Sequence, residues 1–442
     1  MKEDRSLLAW LVVPLCAVLL LLAVLSWIGF GRWKDSVKRR AAGANIVQLP
    51  HIKGVGDAAQ PPDKEPLERS GPSEEEINAL LDELLRQRTQ TVGAIENEAI
   101  LRFKTKEAYE DFLRRAAALG LRVLAQLDDF RAVRVGYDAI DALRRELVAN
   151  GESIEDIGAN YLFKIPGVPE VEERASAGVA PFGSTLFTAL GASGDRSLWG
   201  AGVSVAVLDA GLTNHPTFGN NQVTARVDLV RDGQPFNGHG DAMASLIAGS
   251  AAGAEGVAPA AKLMDVRIFD AAGEGDSFVL AQGIEYAVDH GASIINISGA
   301  SYGDSALVRQ SIQYALDNGV VIIAPTGNEQ AGIKAYPAAY DGVISVSAVS
   351  RDNQLAYFSN SGGPTLAAPG VGVPSAYSEN GQAGFVYGSG TSQATAIASG
   401  AAAYLLGIGQ NPANTLQNHT VPGAASTSSH QIGAGVLYLG NK

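Results

Sequence analysis

Four side chains of the sequence have the types and positions that acyl transfer requires. Asp209 follows the apolar run VSVAVL, His239 stands between two glycines in FNGHGDAMASLIAG, Asn328 follows VVIIAP, and Ser392 opens a long run of small residues. A hydroxyl nucleophile, a base, a carboxylate that orients the base and an amide that donates to an oxyanion can together hydrolyse an acyl bond. The four residue types together therefore indicate acyl-transfer chemistry, provided that the fold brings them together.

Each of these residues has a more ordinary interpretation when it is considered alone. An aspartate or an asparagine after a strand commonly makes a cap or a turn, and a histidine between glycines commonly lies in a loop. The serine of GTS is a common helix N-cap. Only the combination, in the order Asp209, His239, Asn328 and Ser392, indicates chemistry.

Near-continuous apolar runs predict the strands that would position these residues. The runs are VSVAVL (203–208), AKLMDVRIF (261–269), SIINIS (293–298), VVIIAP (320–325) and VISVSAV (343–349). Strands buried on both faces of a parallel sheet have this composition. Helical stretches, such as 278–290 and 304–318, intervene. The predicted fold is α/β, a doubly wound and mostly parallel sheet, with its chemistry at the carboxyl ends of the strands.

A smaller α+β unit is predicted before this domain, at residues 93–165. NEAILRF, LRVLAQL, FRAVRVGY and IEDIGANYLF are typical of strands or extended segments, and TKEAYEDFLRRAAALG and DAIDALRRELVANG are typical of helices. Strand, helix, strand, strand, helix, strand is the order of ferredoxin-like modules. Residues 166–183 are predicted to be a linker, and residues 184–442 the α/β domain.

The first 92 residues divide into three predicted segments. Residues 1–6 are a tail, and residues 7–30 are 24 residues without a charge, long enough for a transmembrane helix. A cleaved signal peptide would have a shorter apolar region and a cleavage site after it, whereas RWKDSVKRR comes next here. Residues 31–92 are a linker with an amphipathic helix at 73–88, which we expect to pack on its own chain rather than in a partner's coiled coil.

The charges around the apolar segment are compatible with two orientations. Basic residues at 32–40 favour a cytoplasmic position for the C-terminal part of the chain, but a long domain is translocated largely regardless of them. We expect a single-pass protein of a bacterial-type inner membrane with the α/β domain outside the cytoplasm. A cytoplasmic domain stays the alternative.

Composition argues against several classes of protein. The 442 residues carry a net charge of −13, so no nucleic-acid partner is expected, because phosphates require a basic surface. Hydrophobic residues make up 46% and charged residues 18%, which is typical of a globular chain. The single cysteine, Cys16, excludes an intrachain disulfide and a zinc site built from cysteines.

Four motifs in chain order resemble those of the subtilisin-like serine proteases, the subtilase family. They are VAVLDAGLTNHP, NGHGDAMASLIAG, APTGNEQ and GSGTSQATAIASG, and the resemblance covers roughly residues 180–440. It implies a subtilisin-like fold and a peptidase in which Ser392 is the nucleophile and His239 the general base. It also implies that Asp209 orients His239 and that Asn328 donates to the oxyanion.

The same resemblance implies where a peptide substrate binds. Two edge strands would receive it by β-pairing, and a third segment would line the pocket for the side chain before the cleaved bond. The implied residues are Gly273, Glu274, Gly275, Ser298, Gly299, Ala300, Ala324, Pro325, Thr326 and Gly327. Glu274 and Asp276 either favour basic side chains in the substrate or are simply solvated.

The chain departs from the family pattern in several places. Asp241 stands where threonine or serine is usual, Met243 replaces a usual valine, and Ala396 replaces a usual proline. The stretch SAAGAEGVA at 250–258 is short and poor in Asn and Asp compared with the family's calcium-binding loop, so no calcium site is claimed there. No other metal and no cofactor is expected. The unit at 93–165 resembles the family's inhibitory propeptide, which implies self-cleavage within residues 164–182.

Two functions are compatible with these features. The first is a membrane-anchored serine endopeptidase, made as a self-processing zymogen, that acts on peptide or protein substrates and is inhibited by its own propeptide. The alternative, motivated by the departures, is a weakly active or inactive subtilisin-like protein that binds peptides or acts as a scaffold.

Overall fold

The computed structural model describes residues 73–167, 182–379 and 381–440. The predicted tail, the predicted transmembrane segment at 7–30 and most of the predicted first linker lie outside the described residues, as do residues 168–181. Within the described ranges, no helix is both long enough and apolar enough to cross a bilayer.

The described chain begins with an α+β unit. Its elements are α1 (Glu74–Gln90), β1 (Glu98–Phe103), α2 (Lys106–Arg115), β2 (Leu121–Leu127), β3 (Ala132–Tyr137), α3 (Asp141–Asn150) and β4 (Ile154–Gly158). The strands form an antiparallel sheet in the order β2-β3-β1-β4. From β1 onwards the elements follow the βαββαβ order that the sequence predicts.

Helix α1 packs into this unit. Ser73 and Glu76 form a reciprocal capping box at its start. Ile77, Leu81 and Leu84 are buried in the same hydrophobic cluster as the inner faces of the sheet and of α2 and α3. Helix α1, which the sequence placed in the linker at 31–92, therefore belongs to the core of this unit, because its apolar stripe helps to cover it.

The α/β domain follows a short strand, β5 (Leu162–Lys164). Its helices are α4 (Leu186–Ala189), α5 (His239–Ala248), α6 (Ser277–Asp289), α7 (Ala306–Asp317), α8 (Thr391–Gly407), α9 (Pro412–Thr415) and α10 (Ser429–Ile432). Its strands are β6 (Ser204–Asp209), β7 (Val223–Asp228), β8 (Lys262–Arg267), β9 (Glu274–Asp276), β10 (Ile294–Ile297), β11 (Val321–Pro325), β12 (Ile344–Val349), β13 (Leu366–Pro369), β14 (Val373–Glu379), β15 (Gln382–Gly388), β16 (Thr420–Val421) and β17 (Val436–Leu437).

In the described part of the chain, one sheet has the strand order β16-β17-β13-β12-β11-β10-β6-β8-β7. Each pair of neighbouring strands in this sheet is parallel, apart from the pair β16–β17, which is antiparallel. The prediction of an α/β fold with a mostly parallel sheet is confirmed. The five predicted apolar runs correspond to β6, β8, β10, β11 and β12.

Hydrophobic clusters cover both faces of this sheet. On β6, Val205 and Val207 belong to the cluster that contains α5 and α8, whereas Ala206 and Leu208 belong to the cluster that contains α6 and α7. Both faces of the sheet are covered, so successive side chains of its central strands are buried. This explains why these strands are continuously apolar in sequence. Since β6 and β11 are both parallel to β10, their carboxyl ends lie at the same edge.

The sheet of the α+β unit packs against α6 and α7 of the α/β domain. A shared cluster joins Ile100, Leu127 and Phe130 of the unit to Phe278 of α6 and Leu307 of α7. The contact is thus built from buried side chains. From β4 the chain continues through β5 to the edge of the main sheet.

Candidate active site

Asp209 and His239 form a hydrogen-bonded pair at that edge. Asp209 is the last residue of β6 and is fully buried, and His239 is the first residue of α5. The Nδ1 atom of His239 lies 2.8 Å from Oδ1 and 3.1 Å from Oδ2 of Asp209. A carboxylate on Nδ1 fixes the orientation of the ring and leaves Nε2 to exchange a proton with a neighbour.

The glycine after His239 permits a close approach between α5 and the loop that follows β6. A Cβ atom at Gly240 would lie 2.2 Å from the carbonyl oxygen of Gly211. No side chain fits at that distance. The absence of a side chain at Gly240 therefore lets the strand of Asp209 and the helix of His239 meet.

Two carboxylates hold the loop that follows Asp209. Asp241, in the first turn of α5, accepts hydrogen bonds from the backbone N–H (2.8 Å) and the hydroxyl (2.7 Å) of Thr213. Asp265 accepts from the backbone N–H of Leu212 and pairs with Arg226 at 2.9 Å. Burial raises the pKa of Asp265 to about 7 against the opposing influence of Arg226. Asp241 thus links the Asp209 loop to the His239 helix.

Asn328 is anchored to the start of α8. Its Oδ1 atom accepts hydrogen bonds from the backbone N–H (3.0 Å) and the hydroxyl (2.8 Å) of Thr391, the first residue of that helix. These two bonds orient the amide so that its Nδ2 atom donates to the carbonyl oxygen of Pro166 at 3.0 Å. An amide held in this way is a preorganised donor to a carbonyl oxygen.

Ser392 is the second residue of α8 and is almost fully buried. Its hydroxyl donates to the carbonyl oxygen of Ser298, just after β10, at 3.3 Å. The amino end of a helix favours negative charge nearby, because its first N–H groups have no partner within the helix. Ser392 and Asn328 are therefore joined through Thr391 at the start of one helix.

The residues that lead to Pro166 fill a cleft between two segments of the α/β domain. Strand β5 pairs antiparallel with β9, with Phe163 opposite Gly275 and Lys164 opposite Glu274. On the other side, Lys164 and Ala300 exchange backbone hydrogen bonds of 3.0 and 2.8 Å. A strand held on both sides in this way resembles a peptide bound by β-pairing.

The side chains of this strand have partners in the cleft. The Phe163 ring stacks on Phe269 at 5.4 Å between centroids, and a Cβ atom at Gly299 would overlap both rings. The ammonium group of Lys164 lies 2.5 Å from a carboxylate oxygen of Glu274, and both side chains are exposed. The cleft therefore accommodates an aromatic and a basic side chain at successive positions.

Comparison with known proteins identifies the family. The family model described as "Subtilase family" matches residues 200–435, more than half of the chain. The chain belongs to the subtilase family.

Individual relatives agree with this result. The chain is 33% identical over 351 residues to the alkaline protease of Shouchella clausii, covering 76% of this chain and 89% of that protein. It is 36% identical over 253 residues to subtilisin Savinase of Lederbergia lenta, covering 56% of this chain and 92% of that protein. The match to the alkaline protease includes more residues than the α/β domain of this subtilase has, so it extends beyond that domain. The chain is a subtilisin-like serine endopeptidase.

A solved structure shares the fold. Fervidolysin from Fervidobacterium pennivorans, described as a keratinolytic enzyme related to subtilisin, superposes with a TM-score of 0.66 at 23% identity. The alignment covers 78% of this subtilase and 60% of the fervidolysin chain. This chain therefore spans less than two thirds of the length of fervidolysin, and the likeness concerns the fold.

The segment predicted to line a pocket lies immediately before Asn328. Ala324 and Pro325 pair with β12, and the backbone N–H of Thr326 donates to Val346 at 3.1 Å. Gly327 has a φ of +109°, and a Cβ atom there would meet the side chain of Asn360 at 2.3 Å. These residues hold the turn that presents Asn328.

Asp276 has a different environment from the one that the sequence suggested. Its carboxylate accepts from the first N–H groups of α6, including that of Phe278, and forms an ion pair of 2.6 Å with Arg134 of the α+β unit. It faces the preceding unit, whereas Glu274 faces the strand in the cleft. The sequence alone does not show that Glu274 and Asp276 face different partners, because the turn from β9 into α6 sets the direction of the Asp276 carboxylate.

Several residues of the site were missed by sequence reasoning. Pro166, Phe163 and Thr391 were not singled out, although the threonine of the GTS motif carries a hydroxyl that can fix a neighbouring amide. The contacts of Pro166 and Phe163 depend on pairing with distant strands, which no local pattern reveals. In the described part of the chain, no group of three or more His, Cys, Asp or Glu side chains is arranged to hold a metal ion.

Proposed function

We propose that this subtilase is a membrane-anchored zymogen that cleaves its own chain between Pro166 and Gly167. The hydrogen bond from Asn328 Nδ2 to the carbonyl oxygen of Pro166 supports this proposal above all. The same carbonyl belongs to a strand paired on both sides with the cleft. Residues 73–166 would then stay bound as an inhibitor after cleavage.

Each step of the reaction has a candidate residue. The hydroxyl oxygen of Ser392 attacks the carbonyl carbon of Pro166, and His239 accepts the hydroxyl proton. Asn328 donates to the oxyanion, and Asp209 stabilises the imidazolium. His239 then protonates the departing nitrogen of Gly167, and water hydrolyses the acyl-enzyme through the same base.

The strand in the cleft suggests the substrates of the released enzyme. Phe163 would represent the fourth residue before the cleaved bond and Lys164 the third. The aromatic pocket beside Phe269 and the carboxylate of Glu274 would favour such side chains in a protein substrate. An exposed ion pair contributes at most about 1 kcal/mol, so Glu274 would shift specificity only a few-fold.

Inhibition by the α+β unit would depend on polar contacts as well as on the apolar interface. Arg134 joins Glu98 of its own sheet to Asp276. Asn160 Oδ1 accepts a hydrogen bond of 2.8 Å from the hydroxyl of Ser277. The match of the alkaline protease, which extends beyond the α/β domain, supports an origin of this unit together with the peptidase.

The membrane anchor is proposed from residues 7–30 of the sequence. Cleavage after Pro166 would leave the anchor with the inhibitory unit, so the peptidase would leave the membrane once their contact breaks. We propose that the peptidase domain lies outside the cytoplasm of a bacterial-type cell. Fractionation before and after processing tests the anchor, and protease accessibility in intact cells tests the side.

The new N-terminus tests self-cleavage. In the wild type we expect mass spectrometry to find a fragment that begins at Gly167, and in Ser392→Ala an intact chain. A fragment with another first residue would contradict the assigned bond. Equal processing of both proteins would show that another protease cuts the chain.

Loss of the oxyanion donor should slow the chemical step. We expect Asn328→Leu to lower kcat of the released enzyme about 10²- to 10³-fold with little change in KM, because the contact strengthens in the transition state. Asn220→Leu, at an exposed position, is the control. Since Asn328 also anchors Thr391, the melting temperature is measured for both variants. A kcat of Asn328→Leu within a few-fold of the wild type would contradict the role.

The contact between the α+β unit and the peptidase should weaken as pH rises. Burial of Glu285 in α6 raises its pKa to about 7, together with the charges of Asp128 and Asp129 in the turn between β2 and β3 and of Asp289 in its own helix. Around this cluster, Tyr109 and Tyr314 donate hydrogen bonds to Asp128 and Asp289. Protonated Glu285 therefore favours the contact.

The pH window is set by the sign of this shift. Asp128 and Asp129 act on Glu285 only across this contact, so the part of the shift that they cause favours the contact at low pH and is lost as pH rises through about 7. We expect the affinity of the cleaved complex to fall by up to about tenfold per pH unit in this window. Size-exclusion chromatography at pH 5 to 8 measures the affinity of the cleaved complex. Glu285→Gln should flatten the profile and the exposed control Asp352→Asn should not; an unchanged slope in Glu285→Gln would contradict the assignment.

A further inference from the structure

The backbone ladder in the cleft has a defined next position after Lys164. Lys164 and Ala300 exchange both of their backbone hydrogen bonds, as a hydrogen-bonded antiparallel pair does. Such pairs recur every second residue, so residue 166 lies opposite residue 298. An N–H at residue 166 would donate to the carbonyl of Ser298.

Residue 166 is a proline, which has no N–H to donate. The carbonyl of Ser298 instead accepts the hydroxyl of Ser392 at 3.3 Å. Ser298 and Ser392 are both buried. Solvent therefore competes little for either group, and the missing ladder bond is replaced by a bond from the candidate nucleophile.

This replacement works against proton transfer to His239. The Nδ1 atom of His239 is bound to Asp209, so Nε2 is the atom available to take the Ser392 proton. A hydroxyl that donates to Ser298 must first rotate away from it. At 3.3 Å the bond is longer than most O–H···O bonds, so the barrier that it adds is modest.

We propose that Pro166 slows the cleavage of its own peptide bond, because its missing N–H leaves the Ser298 carbonyl to hold the Ser392 hydroxyl away from His239. In a substrate whose residue before the cleaved bond carries an N–H, that N–H occupies Ser298 and releases Ser392. The carbonyl of Ser298 thus makes the enzyme selective for secondary over tertiary amides at that residue. The effect of Pro166 on self-cleavage rests on the proposed function, cleavage after residue 166. The selectivity of the Ser298 carbonyl applies to any peptide substrate.

The first test uses the full chain. Pro166→Ala restores the N–H and is expected to accelerate self-cleavage about 3- to 10-fold, the effect of one net hydrogen bond. Pro235→Ala, at an exposed position, is the control for loss of a proline and should process at the wild-type rate. Pulse-labelled protein and the melting temperature of each variant are measured together. Processing of Pro166→Ala at the wild-type rate or below, with unchanged melting temperature, would overturn the proposal.

The second test separates the N–H from the shape of the ring. Peptides containing Phe-Lys-Ile-X-Gly, with X as alanine, N-methylalanine or proline, are given to the enzyme released from the full chain. We expect kcat/KM for alanine to exceed that for N-methylalanine about 3- to 10-fold, with proline close to N-methylalanine.

The outcomes of this test separate a failure of the role of Ser298 from a failure of the proposed peptidase function. Equal rates for alanine and N-methylalanine would overturn the role of Ser298 while leaving the peptidase intact. Hydrolysis of none of the three peptides by an enzyme that has processed itself would overturn the assigned cleft and the inference with it.

Discussion

Replacement of Ser392 by alanine is expected to lower kcat about a million-fold, the loss that removal of the nucleophile causes in subtilisin. The reason is that no other hydroxyl is proposed to attack the substrate, so the acyl-enzyme cannot form. Hydrolysis of a peptide substrate and the size of the chain on expression are both measured. The variant should also stay uncut.

A second serine of the same helix provides the matched control. Ser399 is buried in α8 and donates to Asn296 at 2.9 Å. Ser399→Ala should therefore cost stability but leave kcat within a few-fold of the wild type. Loss of activity in both variants together with a lower melting temperature would point to damage of α8 rather than to chemistry. Persistent hydrolysis by Ser392→Ala would refute the nucleophile.

Replacement of Asp209 by asparagine is expected to lower kcat about 10⁴-fold. The carboxylate of Asp209 accepts a hydrogen bond from the N–H at Nδ1 of His239, whereas an asparagine amide can donate to Nδ1 and drive the ring proton to Nε2. The tautomer with a proton on Nε2 cannot accept the proton of Ser392. The dependence of kcat on pH and the melting temperature are measured for this variant.

Asp241 offers the matched control for Asp209, since it is a second buried carboxylate close to His239 in sequence. Its two hydrogen bonds from Thr213 hold the loop. Asp241→Asn should therefore change stability more than kcat. If Asp241→Asn lost 10⁴-fold and Asp209→Asn did not, the two carboxylates would have to exchange roles.

These experiments also separate an enzyme from a scaffold. The departures at Asp241 and Ala396 left open an inactive protein that only binds peptides. In the structure, Asp241 has partners of its own and Ala396 is buried within α8. Neither departure removes a residue of the proposed triad, and the family relationship identifies the chain as a serine endopeptidase.

The sequence predicted the central sheet well, for a physical reason. Strands such as β6 and β10 are buried on both faces, so their composition alone identifies them. The hairpin of β14 and β15 was not predicted, because β15 is mostly exposed and the sequence QAGFVYG has no burial pattern to follow. Helix α1 was predicted as an element, but its partners depend on the folded α+β unit.

The candidate site shows the same division. Asp209, His239, Asn328 and Ser392 each stand at the end of a predicted element, so parallel topology places them at one edge. The strand through Pro166 could not be positioned from sequence, because its partners lie more than a hundred residues later in the chain. The opposite directions of Glu274 and Asp276 also required the fold.

Covalent labelling tests the central claim most directly. The processed enzyme is treated with a fluorophosphonate probe, which reacts with activated serines, and the modified peptide is identified by tandem mass spectrometry. We predict one adduct, on Ser392, with loss of hydrolysis in proportion to labelling. An adduct on another serine, or full hydrolysis after complete labelling of Ser392, would contradict the proposed triad.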